Sequence, residues 1–355
     1  MREAQSVQIE ARDHVSLMRV SMAPILAILA TMVICSVLIL WAGVSVVDAY
    51  ALLFKGAFGS LFALKETFTR SIPLIFTGLA VAVAFRSKFY NIGAEGQLYA
   101  GALAAVFFGT GLVNLPAYLM LPFLFLVGAL AGGILLLVPV LLKTRLKVDE
   151  VVTTLLLNFV VLLAVSYLIE GPWRDPMAMG WPQTASIVDA GVLPTLVSKG
   201  RLHAGLIVTL LAALLIWLLM RFTVLGYEIR AVGFNAKAAE FSGVNINRTV
   251  VITALLSGGL AGMAGTSEVA GLKGYLTLDL SPGFGYTGIA VAMLAQLHPL
   301  AIIPAALFLS AVYVGADSMS RAVNIPTYIA DVLVGVSVLA ILVSVMLTRY
   351  RIKWP

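Results

Sequence analysis

Six polar or ionisable side chains interrupt or border apolar stretches of the sequence: Asn91, Glu95, Gln97, Asn158, Glu268 and Gln296. At membrane depth such groups are costly unless they face a cavity, water or a partner, so each is a candidate for lining a path through the bilayer. Asn91, Glu95 and Gln97 share one string, NIGAEGQ, in which Gly93 and Gly96 permit close backbone approach or left-handed dihedrals. That spacing predicts a broken-helix turn, tolerated only against protein or water. Two readings stay open for it: a polar lining that a hydrophilic solute passes, or a hydrogen-bond clamp between helices. Glu268, within GTSEVAG, is the most isolated acid and should face a pore or a second chain. Thr153, Thr154 and Asn158 cover a helix face broad enough to touch both a pore and a neighbouring helix.

The sequence has no grouping for covalent chemistry. No GxxxxGK[ST] run occurs, so there is no P-loop to cradle ATP phosphates, and no serine stands in a nucleophile-elbow setting. His14, His203 and His298 lie in separate segments without metal-ligand spacing, and Cys35, the only cysteine, excludes an intramolecular disulfide. These features argue against an enzyme and against a metal or cofactor bound by this chain. A device that moves solute must then draw on an ion gradient or on ATP hydrolysed by another chain.

An apolar framework positions these residues. Of 355 residues, 61% are hydrophobic and 11% charged, whereas soluble domains carry about 25% charged residues. The pattern predicts an all-α polytopic membrane bundle of about ten transmembrane helices at 22–44, 71–87, 95–111, 117–142, 151–170, 203–221, 249–271, 284–298, 300–316 and 327–348. The first could span ~34 Å, too long for the apolar region of a signal peptide. Residues 71–87 and 284–298 are short, which points to broken or re-entrant backbone. Residues 46–70 keep helical spacing but carry Asp48, Lys55, Lys65 and Glu66, which predicts an outer interfacial segment. Flanking the membrane domain at 21–348 are an N-terminal segment, 1–20, read as a surface helix or as disordered, and a tail, 349–355. The strings GLAVAVAF at 78–85 and GIAVAMLA at 288–295 echo each other and run in the same direction, as in a parallel repeat or by chance recurrence.

Orientation follows from the basic residues. Fifteen of the 23 Lys and Arg residues fall on the side that would hold both termini, and eight on the other. The positive-inside rule therefore makes both termini cytoplasmic, with loop 171–201 external and loop 225–248 cytoplasmic. The net charge of +6 is accounted for by this asymmetry and calls for no nucleic-acid partner. Within loop 225–248, residues 236–241 are good helix formers, with Asn235 placed as N-cap and Gly243 as stop. A capped two-turn helix there would make a rigid knob for an ATPase partner to grip, or an ordinary interfacial helix.

Gly226, Ala231, Gly233, Asn235, Ala238, Ala239, Ser242, Gly243 and Val244 form a GxxxxAxGxNxxAAxxSGV pattern. This pattern resembles the coupling segment of the ABC-importer permeases that serve ribose, branched-chain amino acids and nucleosides. RSIPLIFTGLAVAVAFRSKFYNIGAEGQ at 70–97, DEVVTTLLLN at 149–158 and GYTGIAVAMLAQLHP at 285–299 are similar in order and spacing to the nucleoside-type branch. The likeness extends over roughly residues 45–345, and it implies a transport subunit of the bacterial cytoplasmic membrane, set in membrane lipid. Its implied partners are a second homologous permease or a second copy of itself, an ABC ATPase that carries ATP and Mg, and an external solute-binding lipoprotein. It also implies that Asn235, Ala236, Lys237, Ala238, Ala239, Glu240 and Gly243 take up the ATPase motion. Nearby aromatics, Phe85, Phe89, Tyr90 and Tyr286, could stack on a base or simply pack. A sugar or branched-chain amino-acid permease is the alternative within the family. An ion-coupled transporter using Glu95 and Glu268 is the rival outside it.

Overall fold

A chain this apolar satisfies its backbone inside helices, because lipid offers no hydrogen bonds to a free N–H or C=O. The computed structural model describes residues 8–11, 17–113, 115–197, 200–323 and 328–353. Two compact units are built from it, residues 65–310 and residues 1–64 with 311–355. In their described parts the ten predicted apolar stretches overlap helices, not all of them long enough to cross a membrane.

The larger unit contains most of α3 (Leu61–Arg86), then α4 (Ala94–Gly109), α5 (Ala117–Leu146), α6 (Glu150–Glu170), α7 (Gly205–Phe222), α8 (Val224–Phe234), α9 (Ala236–Phe241), α10 (Ile246–Glu268), α11 (Phe284–Leu294) and the start of α12 (Ile302–Val323). Its centre is a glycine seam among α4, α5 and α10. Gly128 and Gly132 of α5 face Gly262 and Gly258 of α10, while Gly101 faces Gly262 and Gly265 faces Leu98. A Cβ at Gly132, Gly258 or Gly262 would run into a backbone carbonyl of the facing helix. Small residues four apart let helices approach to backbone contact, the main source of helix adhesion where lipid is as apolar as the side chains.

This seam yields a sharp expectation. Gly262→Val forces main chains apart, a distortion costing at least ~1–3 kcal/mol, and should lower the melting temperature and the monodisperse yield of the purified protein. Gly335, which has nothing within 4 Å of a built Cβ, should accept Ala without loss. Equal melting temperatures for Gly262→Val and the unaltered protein would show that the seam is not close-packed.

In the smaller unit, α1 (Leu17–Trp41) packs along α13 (Tyr328–Arg349), and Ile39, Ala49 and Met319 form a buried cluster. The helix α2 (Val46–Phe58) is bent by 116° from Leu29–Trp41 and capped by Ser45. Beyond these helices, β1 (Gln8–Ala11) pairs antiparallel with β2 (Tyr350–Lys353), Gln8 opposite Lys353. Among the described residues, otherwise mainly helical, one short strand pair thus stands where a surface helix or disorder was predicted. Residues 1–7 and 12–16 of the predicted N-terminal segment lie outside the described residues.

Two predicted boundaries are corrected. The interfacial segment 46–70 ends with α2 at Phe58, and α3 starts at Leu61 and runs for 26 residues, so the second span is long rather than short. Its early charges are tolerated because they are partnered: Glu66 accepts two hydrogen bonds from Arg201, at 3.1 and 2.8 Å. Among the described residues, seven helices are long and apolar enough to cross a membrane, or up to eight if the bent pair is one span. The predicted ten also counted α4 and α11, whose 16 and 11 residues reach only ~24 and ~16 Å against a hydrocarbon thickness of ~30 Å.

Loop 171–201 is ordered by docking in its described part. Val188, Ile187, Leu193 and Thr184 donate backbone hydrogen bonds to the carbonyls of Gly109, Gly274, Ala270 and Leu276, covering one end of α4 and α10. The echoing strings also meet. Thr77 donates to the Phe284 carbonyl at 3.0 Å, a Cβ on Gly78 would press on Val291, and Arg86 Nε donates to the Leu297 carbonyl at 2.9 Å. Contacts that advance together along both segments mean that α3 and α11 run parallel.

Candidate functional site

Beyond the last turn of α3 the chain doubles back into the bundle. Lys88 takes a left-handed φ of 55°, Phe89 packs inward, and the next residues return to the level of Ala80. Ser257 of α10 fixes that depth, donating to the Ala80 carbonyl at 2.7 Å and accepting from Asn91 Nδ2 at 3.0 Å. Ala80 stands six residues before Arg86, so the loop lies ~9 Å inside the end of α3. The NIGAEGQ string is therefore the broken turn that its glycines suggested.

Within the break every amide is used. Asn91 and Gln97 exchange two hydrogen bonds, both 2.9 Å, and Asn91 Oδ1 also accepts from Gly93 N at 2.9 Å. From α6, Thr154 Oγ1 accepts from Ile92 N at 3.2 Å, while Asn158 accepts from Gly96 N at 2.8 Å and donates to the Ile92 carbonyl and Tyr286 Oη at 3.0 and 3.1 Å. Gly96 is required by this closeness, since a Cβ there would lie 2.9 Å from Asn158 Oδ1. Asn91, Thr154 and Asn158 are fully buried, so leaving any of these bonds unmade would cost ~1–3 kcal/mol.

Glu95 is 3% exposed and stands in the first turn of α4. Its Oε2 accepts from Gly285 N at 2.6 Å, with Ser281 and Gly283 close by. Gly285 opens α11, and a Cβ on it would overlap the backbone of Glu95. The N-termini of two short helices thus converge on one carboxylate, which accepts an N–H of α11 and stands at the positive dipole end of both helices. Ser281 Oγ further caps α11, accepting from Phe284 N at 2.9 Å, and Tyr99 Oη bonds the Leu278 carbonyl and Ser281 N.

Glu268 and Gln296 lie apart from this cluster. Glu268 is eleven residues beyond Ser257 on α10, about three turns away. It is 4% exposed, and its Oε1 has no hydrogen-bond partner among the described residues, with Lys273 and Arg70 as its electrostatic neighbours. A π-helical segment, Val269–Lys273, follows it. Gln296 sits in the turn after α11 with φ 50°, exposed, ~16 Å along from Gly285. Among the described residues no group of three metal-ligating side chains occurs.

The loop helix is α9. Asn235 Oδ1 accepts from Ala238 N at 3.1 Å, and Gly243 ends the helix with φ 88°, its N–H bonded to the Glu240 carbonyl at 2.9 Å. Ala239 alone of its residues is buried, in a cluster with Ala84, Phe89, Val140 and Val250. Ala236, Lys237, Ala238 and Glu240 face outward, beside Phe234 and Phe241, which are 83% and 95% exposed. At the end of α8 a Cβ on Gly233 would overlap the Arg86 carbonyl, so the approach to α9 rests on the end of α3.

Residues 63–342 match the sequence model of the family described as branched-chain amino acid transport system / permease component. The chain belongs to this family. Among similar members, the guanosine ABC transporter permease protein NupP of Bacillus subtilis is 34% identical, covering 94% of each chain. The glucose ABC transporter permease protein TsgB13 of Haloferax volcanii is 34% identical over 93% of this chain and 89% of its own. The nucleoside ABC transporter permease protein NupB of Lactococcus lactis is 29% identical over 84% and 85%. A solved structure, PsaBC from Streptococcus pneumoniae in complex with Fab, aligns with a TM-score of 0.47 at 13% identity, covering 83% of this permease and 95% of that chain.

Sequence reading of this permease missed Ser257, Ser281, Gly285 and Tyr99. Each joins the break from 160 or more residues away or through a carbonyl, so no local pattern marks it. The one available signal was the run of hydroxyls and glycines in α10, from Thr253 to Ser267.

Proposed function

We propose that this chain is the membrane-spanning permease subunit of a bacterial ABC importer for nucleosides. The observation that carries the reading is the full-length similarity to the guanosine permease, joined by the similarity to the nucleoside permease of Lactococcus. The glucose permease is equally identical, so a sugar importer is the second reading. ATP and Mg are held by a separate ATPase subunit, and a second permease and an external solute-binding lipoprotein complete the importer in the cytoplasmic membrane.

The exposed face of α9, with Lys237, Glu240, Phe234 and Phe241, is the ATPase grip in this reading. Ala239 packs on Phe89 and Ala84, so a push on α9 reaches the residue that leads into the break. There Asn91, Gln97 and Asn158 hold the re-entrant turn that walls the path, and Glu95 holds α11 to α4, while Tyr286, 37% exposed, is the accessible member. Glu268 and Gln296 flank the path on either side of this level. Saturable uptake of labelled guanosine and of labelled glucose, measured side by side, tests the substrate. Guanosine uptake that unlabelled uridine inhibits and glucose does not is expected, and glucose uptake without guanosine uptake would transfer the assignment to sugars.

Cytoplasmic termini and ten passes, counting α4 and α11, complete the topology. The pairing of β1 with β2 supports an even number of crossings. Ser186 and Lys237 are both exposed, so after replacement of buried Cys35 a cysteine at either site reports only its side of the membrane. In intact cells a membrane-impermeant thiol reagent should label Ser186→Cys and spare Lys237→Cys; the opposite labelling would invert the orientation.

A further inference from the structure

The ends of α3, α7 and α8 and the turn after α11 enclose a cavity of about 560 Å³, lined by Arg86, Trp217, Arg221, Phe222, Arg230 and His298 among others. Among the described residues no carboxylate lines it. Among the described residues none of the three arginines forms an ion pair. Arg86 spends only its Nε, on the Leu297 carbonyl, and is repelled by Arg230 across the cavity. The nearest acid on α8, Glu228, is turned to Thr249 at 3.3 Å.

Three unpaired guanidinium groups converging on one hollow repel one another until an anion joins them, and their planar forks suit phosphate oxygens in bidentate pairs. The volume falls in the range of ~300–1,000 Å³ typical of small-molecule sites, too large for one bare anion. Trp217 and Phe222 meet edge to face at 5.7 Å on its rim, and Phe222 is 69% exposed. Aromatic rims of this kind mark headgroup depth, and basic pockets between spanning helices suit lipid headgroups.

We propose that this cavity binds a phosphate group, carried by an acidic phospholipid or by a soluble phosphate compound, and that its occupancy clamps α8 to the end of α3. Because α8 leads directly into α9, a bound phosphate would stiffen the support on which the knob rests. Nothing in this proposal depends on the transported solute.

The test uses the full-length protein in nanodiscs of phosphatidylcholine, with phosphatidylglycerol mixed in or with millimolar inorganic phosphate added to the buffer. The melting temperature should rise by several degrees with at least one of them, as linkage requires of a ligand bound only by the folded state. Phosphatidylglycerol alone acting would identify a lipid, and phosphate acting in neutral discs a soluble ligand. Arg221→Gln, at an exposed position, and Arg230→Gln should each lose most of the rise, whereas Arg248→Gln, in the same basic loop but outside the cavity, should keep it. No rise with either additive, or an equal rise in the Arg221 and Arg230 variants, would overturn the proposal.

Discussion

Glu95→Ala is expected to abolish uptake and lower the melting temperature of the assembled importer, while Glu95→Gln keeps assembly and part of the transport. The alanine variant strips the acceptor from Gly285 N and leaves two buried helix N-termini facing each other. A hydrogen bond to a charged group contributes ~1.5–3 kcal/mol, and an unsatisfied buried donor costs ~1–3 kcal/mol. Losses of that size should be visible as a drop of several degrees. Glutamine retains one carbonyl oxygen for Gly285 but gives up the charge that answers both dipoles, so an intermediate result follows. If Glu95→Ala melted like the unaltered protein yet failed to transport, the carboxylate would be a solute contact rather than a helix tether.

Ala239→Asp should uncouple ATP hydrolysis from uptake. Ala239 is 4% exposed and touches the cluster that holds Phe89. A carboxylate there would enter an apolar cluster whose near cation, Lys143 over the Phe89 ring, is already paired with Glu150, and an unpaired buried charge costs several kcal/mol. The knob must then lift off its seat, and several kcal/mol corresponds to a ~10-fold or larger loss of coupled rate. Insertion should survive, since α9 is six residues long and lies outside the spanning segments. ATPase activity measured beside uptake in the same complex separates the outcomes: hydrolysis without uptake fits, and normal uptake removes α9 from the coupling path.

Much of this architecture is readable from local pattern alone. Helix existence follows from apolar length, and the bounds of α9 follow from Asn235 and Gly243, because capping is a matter of a few adjacent residues. The start of α3 was misjudged for the converse reason. Lys65, Glu66 and Arg70 break the hydropathy, and the partner that makes Glu66 tolerable, Arg201, lies 135 residues away. The strand at Gln8–Ala11 exists only through residues 350–353, so nothing nearby announces it. In the break, the glycines and amides mark an irregular turn, but its depth is set by Ser257 and its closure by Gly285, both remote. The glycine seam was legible in principle from Gly128 with Gly132 and Gly258 with Gly262, although spacing alone does not say which helices meet.

Reconstituted uptake tests the central claim most directly: the permease, its ATPase and partner permease in proteoliposomes, with the binding lipoprotein and labelled guanosine on the lipoprotein side. Accumulation that requires ATP on the opposite face, persists with protonophore and sodium ionophore, and stops in Ala239→Asp is the predicted result. Accumulation without ATP that collapses with an ionophore would contradict the account and make this chain an ion-coupled carrier.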